Sequence, residues 1–267
     1  MIDIITLIKE YMKSESLQQF VNDRFWDTNR MIIPQRKDAN GKYDHSKYMK
    51  VVSYDGKTFF YWDELTDTIS SIHHEYKFND IRKTDVVLDI GGCIGAYALQ
   101  ISHNVEQVYV VEPLLDERIK KNIELTNQLN NSIHNVKIFK CALGTNKGNI
   151  DISFQGGNVN VPSHTLTELK EMCGGHVDVL KVDCEGGEWA IQEHELSDIR
   201  RIEMEIHTGD SLEFHGGTSR TTNVIKIHYT DNSKHFIDFV NMLIRTGFEC
   251  TYNTLDEHTS LVHGIRK

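Results

Sequence analysis

The 267-residue chain has no lysine- or arginine-rich run, no apolar run long enough to cross a bilayer and no C-x-x-C pair. Each absence excludes something. With a net charge of −10 and no basic stripe, a nucleic-acid partner is not expected. A bilayer-spanning helix needs about 20 consecutive apolar residues, so no membrane partner is expected either. The five cysteines (Cys93, Cys141, Cys173, Cys184, Cys250) are odd in number and scattered, which does not suit a disulfide framework. Cys141 and Cys184 end apolar runs, the usual setting of reduced, buried thiols, and imply a reducing compartment. The opening MIDIITLIKEYMKSE intersperses acids and lacks the basic-then-apolar order of a signal peptide. The expectation is a soluble, cytoplasmic protein. Internal repeats and low-complexity tracts are absent too.

What is present is organised around residues 85–97, DVVLDIGGCIGAY. Val86, Val87 and Leu88 form a buried-strand run, Asp89 closes it, and Gly91, Gly92 and Gly95 turn the chain into the helical AYALQIS. Strand, glycine turn and helix N-terminus bring backbone close to a nucleotide-like ligand. The frame is D-x-G-x-x-x-G rather than the G-x-G-x-x-G of dinucleotide binders, which counts against a nicotinamide dehydrogenase. It looks more like the S-adenosylmethionine loop of class I methyltransferases. A second apolar strand, QVYVVEP, ends in Glu112 where an acidic residue grips ribose hydroxyls.

Upstream, residues 2–24 carry helical apolar spacing, broken near Ser14–Ser16, and suit two short amphipathic helices. Residues 34–47 are polar and turn-rich, a surface loop. VVSYDGKTFFYW predicts a β-hairpin turning at Asp55-Gly56, and DELTDTISSIHHEY a capped helix. His73, His74 and Glu75 point in different directions on that helix, so shared metal ligation is not expected. Residues 1–80 are thus an α+β extension and residues 81–267 a cofactor-binding domain.

Downstream, strands and helices alternate as in a doubly wound parallel sheet. LLDERIKKNIELTNQLN is an amphipathic helix and NVKIFKCALG a third strand. Residues 148–154 make a short extra strand, and QGGNVN at 155–160 a flexible loop. HTLTELKEMCG is a helix with a glycine stop, VDVLKVD the fourth strand, residues 186–195 the start of a helix, and RRIEMEIH the fifth strand. Residues 208–231 have no strong period. SKHFIDFVNMLIRTG is a final helix, and FECTYNT with SLVHGIRK a closing antiparallel pair.

Several marks together resemble the FkbM-type family of S-adenosylmethionine-dependent methyltransferases: DIGGCIG at 89–95, VEP at 111–113, CALG at 141–144, TLTEL at 165–169, LKVDCEGGEW at 180–189 and EMEIH at 203–207. The most restrictive is K-x-D-x-E-G-x-E (Lys181, Asp183, Glu185, Gly186, Glu188). Cys93 departs from the family's usual asparagine. The resemblance spans residues 76–207 and implies a Rossmann-like class I fold: a seven-stranded, mostly parallel sheet with a C-terminal antiparallel pair. It implies S-adenosylmethionine as donor, S-adenosylhomocysteine as product, and O-methylation of a sugar, glycan or other small hydroxylated acceptor.

Ligands of open α/β sheets bind beyond the carboxyl ends of the strands. Asp89, Gly91, Gly92, Cys93, Gly95, Glu112, Pro113, Ala142 and Asp183 are accordingly the expected cofactor-binding residues. An acceptor hydroxyl benefits from a base within hydrogen-bond reach. Asp183 is first choice, with binding of the cofactor's amino group as its other role; Glu185 and His207 follow. Glu188 reads as a carboxylate satisfying a helix N-terminus. Asp183, Glu185, Glu205 and His207 could also ligate a divalent metal, but nothing in their spacing demands one and none is predicted. His215-Gly216-Gly217 is a candidate border of the acceptor pocket. The competing readings are an inactive scaffold of the same fold and a methyltransferase acting on nucleic acid or protein.

Overall fold

The computed structural model describes residues 30–34, 48–53, 57–61, 65, 68–69, 72, 75–130, 132–154, 157–208, 220–221, 232–255 and 259–266. The helices expected over residues 2–24, the Asp55-Gly56 turn, His73, His74 and the His215-Gly216-Gly217 loop lie outside the described residues.

Among the described residues the order opens with three short strands, β1 (Arg30–Pro34), β2 (Tyr48–Val52) and β3 (Phe60–Tyr61), in one antiparallel sheet. The pairing of β2 with β3 is the expected hairpin; β1 was not expected. Then come β4 (Val86–Ile90), α1 (Ala96–Ser102), β5 (Gln107–Val111), α2 (Asp116–Asn130) and β6 (Val136–Phe139). They are followed by β7 (Ala142–Leu143), β8 (Gly148–Phe154), β9 (Gly157–His164), α3 (Leu166–Met172), β10 (Val179–Val182) and β11 (Arg201–His207). The two-residue β12 (Arg220–Thr221), α4 (Asn232–Arg245), β13 (Phe248–Thr254) and β14 (Thr259–Arg266) complete the order.

The central sheet runs β13-β14-β11-β10-β4-β5-β6. From β11 to β6 its strands are parallel, and β14 is antiparallel to both β11 and β13. This is the expected sheet with its C-terminal antiparallel pair. Strand alternation builds two apolar layers. Leu88, Ile90, Leu180, Val182 and Met204 pack with Leu166 and Leu169 of α3 and Leu243 of α4. Val87, Val108, Val110 and Val179 pack on the other face with Tyr97 and Leu99 of α1 and Ile119 of α2. Phe60, Ile69, Ile72 and Tyr76 join this second layer, so the segment before β4 is packed into it. No helix among the described residues is long and apolar enough to cross a membrane.

Three expectations are corrected. The run NVKIFKCALG is two strands: Cys141 N donates to the Phe139 carbonyl (3.0 Å) in a tight turn, after which β7 leaves the edge of the central sheet and pairs with β9. Residues 157–160 are strand, not loop, because they pair with Phe154, Ser153, Ile152 and Asp151 of β8 across the connection at 155–156. Residues 186–195 form two 3₁₀ turns, Gly187–Ala190 and Glu193–Leu196. Glu185 (φ 52°) and Gly186 (φ 98°) are left-handed, which bars a regular helix from starting there.

Candidate functional site

The glycine loop is shaped by contacts that leave no room for side chains. Gly91 (φ 79°) donates to the Val111 carbonyl at 2.9 Å, and a Cβ there would sit 1.7 Å from the Asp183 carbonyl oxygen. A Cβ on Gly92 would meet Val110 Cγ1 at 2.2 Å. Backbone thus closes against backbone where β4, β5 and β10 end side by side.

A polar row lies beneath the loop. Asp89, Lys181, Glu203 and His263 are successive cross-strand partners on β4, β10, β11 and β14, so acidic and basic residue types alternate across four strands. Lys181, almost fully buried, lies 3.2 Å from Asp89 Oδ1 and donates to the Gly91 carbonyl at 2.8 Å. Burial raises the Asp89 carboxyl above its usual range, with Lys181 opposing the rise. Glu203 pairs with His263 and Arg201, and Arg201 with Asp80.

Above this row opens a cavity of about 530 Å³, within the range of small-molecule sites. Its wall includes Gly91, Cys93, Glu112, Pro113, Ala142, Asp183 and Glu185 of the residues expected from the sequence. Asp89, Gly92, Gly95 and His207 stand outside the wall: the first three shape the loop from behind, and His207 backs the acidic side. Glu112 is buried with both oxygens engaged. Oε2 accepts from Cys93 N (2.8 Å), and Oε1 from Leu114 N (2.8 Å) and Leu115 N (3.0 Å). Burial raises its pKa and these bonds oppose the rise. Burial, reinforced by Glu112, pushes the neighbouring Cys93 thiol up to about 12.

The acidic side is built from the ends of β10 and β11. Asp183 Oδ2 accepts from the Tyr76 hydroxyl at 3.5 Å and lies 3.7 Å from Lys181 Nζ. His207, 2% exposed, presents Nε2 to Glu205 at 3.4 Å and to Glu185 at 3.7 Å. Its Nδ1 is 3.1 Å from Glu188 Oε1, which also accepts from His207 N at 2.8 Å, while Glu188 Oε2 accepts from Gly186 N at 2.9 Å. Burial disfavours charge on the imidazole, but Glu188, Glu205 and Glu185 outweigh it and hold the His207 pKa well above its usual value. Burial likewise pushes the Glu185 carboxyl up to about 7, with His207 opposing and Asp183, Glu188 and Glu205 adding to the rise.

Sequence reasoning missed the roles of four residues. Tyr76 and Glu75 line the cavity from the segment before β4, and only long-range packing reveals that. Lys181 was visible as a motif letter but not as the cation beneath the loop. Glu188 does more than satisfy a turn N-terminus, since it ties the β10 loop to the end of β11.

The methyltransferase FkbM domain family matches residues 89–253, more than half of the chain. No curated protein matches. Among solved structures, methyltransferase FkbM from Methylobacillus flagellatus is 14% identical over 73% of this chain and 47% of its own, with a TM-score of 0.48. An O-methyltransferase family protein from Burkholderia thailandensis is 14% identical over 76% of this chain and 56% of its own (TM-score 0.45). The fibrillarin pre-rRNA processing protein of Methanococcus jannaschii is 13% identical over 89% of each chain (TM-score 0.47). The chain therefore spans about half the length of the first two of these structures.

Proposed function

This chain belongs to the FkbM methyltransferase family, and from that premise we propose that it is an S-adenosylmethionine-dependent O-methyltransferase. Its acceptor is the hydroxyl of a sugar, glycan or other small hydroxylated molecule. The carrying observation is the shared cavity, which puts the Gly91 loop and Glu112 on one side and Asp183 and Glu185 on the other. The residues present fit the cofactor: a loop whose backbone no Cβ could occupy, a buried carboxylate at the second strand end, and Ala142 and Pro113 as apolar wall. When bound, the cofactor supplies a methyl group already activated on a sulfonium.

The protein's own contribution is alignment and proton removal. Gly91 and Glu112 orient the donor end of the cavity. Leu65, Thr68 and Ile72, with Leu255 and Thr259, wall the remaining side and limit water. Asp183, steadied by Tyr76, is the first candidate to take the hydroxyl proton, and Glu185, with its pKa about 7, is the second. His207 is a positioning residue for Glu185 and Glu205 rather than the base, because its ring is buried behind them and outside the cavity wall. We assign residues 1–80 to an extension and 81–267 to the cofactor-binding unit.

The acidic wall favours a neutral or cationic acceptor over a polyanion. Glu75, Glu112, Asp183, Glu185 and Glu205 line the cavity without a lysine or arginine among the described wall residues, and phosphates bind chiefly through such cations. Titration calorimetry with S-adenosylhomocysteine tests the core of this reading. Wild type binds it in the micromolar range and Glu112→Ala about tenfold to a hundredfold more weakly, the worth of one or two charged hydrogen bonds. A wild-type protein that does not bind it refutes the reading.

A further inference from the structure

We propose that Asp183, Glu205 and His207 form a divalent-cation site at the floor of the cavity. Each offers one ligand atom, and these atoms lie within 4.8 Å of one another. An ion with bonds of about 2.2 Å spans about 4.4 Å between opposite ligands, so a few tenths of an ångström of side-chain movement closes the set. The donors come from the ends of two hydrogen-bonded strands, which makes them a rigid platform.

The imidazole carries the argument beyond a group of acids. His207 is 2% exposed, and its Nε2 points at the carboxylates of Glu205 and Glu185. Its Nδ1 faces the fully buried Glu188, whose oxygens are fixed by two backbone N–H groups. A carboxylate behind an imidazole, setting its tautomer and aiming its other nitrogen, is how metal-ligating histidines are held. Charge points the same way. Asp183, Glu185, Glu188 and Glu205 face a single imidazole, while Lys181 lies nearer Asp89 and the Gly91 carbonyl than Asp183. Two carboxylate oxygens and one imidazole nitrogen are a mixed oxygen and nitrogen donor set that suits a divalent transition ion such as manganese.

Asp183, Cys184, Glu185 and Glu205 all line the cavity, so an ion held there is within reach of an acceptor. It would bind the acceptor oxygen and lower the pKa of its hydroxyl. That role rests on the O-methyltransferase reading; the binding of the ion does not.

The test uses full-length protein stripped with chelator and then titrated with Mn²⁺, read by electron paramagnetic resonance. Wild type binds one equivalent. Glu205→Gln and His207→Gln bind at least about tenfold more weakly, and the exposed Glu193→Gln binds as wild type does. Circular dichroism and S-adenosylhomocysteine titration of the same variants confirm the fold and separate the ion's site from the cofactor's. Lost Mn²⁺ binding with retained S-adenosylhomocysteine binding supports the proposal. Absence of Mn²⁺ binding in wild type, or equal affinity in all variants, overturns it. So does competition between Mn²⁺ and S-adenosylhomocysteine, which would give Asp183 to the cofactor's amino group. Mn²⁺ binding without S-adenosylhomocysteine binding in wild type would keep the ion site and sink the O-methyltransferase reading.

Discussion

Lys181 and Asp89 show how much one residue pair can decide. Both are buried, 3.2 Å apart, and the lysine also holds the Gly91 carbonyl. A buried ion pair is only weakly stabilising as a whole, but removing one partner strands the other. Lys181→Met should therefore cost about 3–5 kcal/mol in urea denaturation, and adding Asp89→Asn should recover part of that loss. A single-variant loss below about 1 kcal/mol would show that Asp89 finds water or another partner. The K-x-D spacing was plain in the sequence, but its meaning was not. Residues two apart on a strand share a face, and only the register of β10 against β4 shows Lys181 facing Asp89.

Elements whose stop and start signals are local were the most legible. Thr165 caps α3 by accepting from Glu168 N, and the Glu168 side chain accepts from Thr165 N in return. Gly174 and Gly175, both left-handed, end it, with Gly175 N donating to the Lys170 carbonyl at 2.9 Å. This helix packs Leu166 and Leu169 against the sheet, so its cap is coupled to global stability. Thr165→Ala should cost about 1 kcal/mol in thermal or chemical unfolding, and Thr165→Ser nearly nothing. Elements whose signals are distant were misread. The QGGNVN stretch carries turn-type residues, yet pairing with β8 makes residues 157–160 strand. The expected helix after Glu185 fails because two consecutive left-handed residues turn Glu188 inward, where His207 receives it.

Across the whole molecule, the segment before β4 is docked onto the parallel sheet rather than appended to it. Thr126 of α2 accepts from Phe59 N (2.9 Å) and donates to the Phe59 carbonyl (3.1 Å), and Asn122 Oδ1 accepts from Tyr61 N (3.0 Å). One buried hydroxyl thus satisfies both backbone groups of Phe59. Thr126→Val keeps the shape but leaves them unpaired, so it should cost about 1–3 kcal/mol and speed amide exchange at Phe59. Unchanged exchange would mean that residues 57–61 are not anchored through α2. The docking matters for the site, because Tyr76 and Glu75 reach the cavity only from this segment.

By itself the sequence determined what local chemistry can encode: the apolar runs of the parallel strands, the glycine loop, the acidic strand ends and the helix caps. Period, steric freedom and capping bonds act over a few residues, so they can be read without knowing what lies across the sheet. Tertiary structure alone decided which charged groups face the cavity and which lie beneath it. Asp89 and His207 sit at strand ends just as Glu112 and Asp183 do, yet packing buries the first pair behind the wall and leaves the second pair in it. That choice depends on strand register, on two left-handed residues after β10 and on a segment more than a hundred positions upstream of Asp183. Only the folded chain brings these within bonding distance.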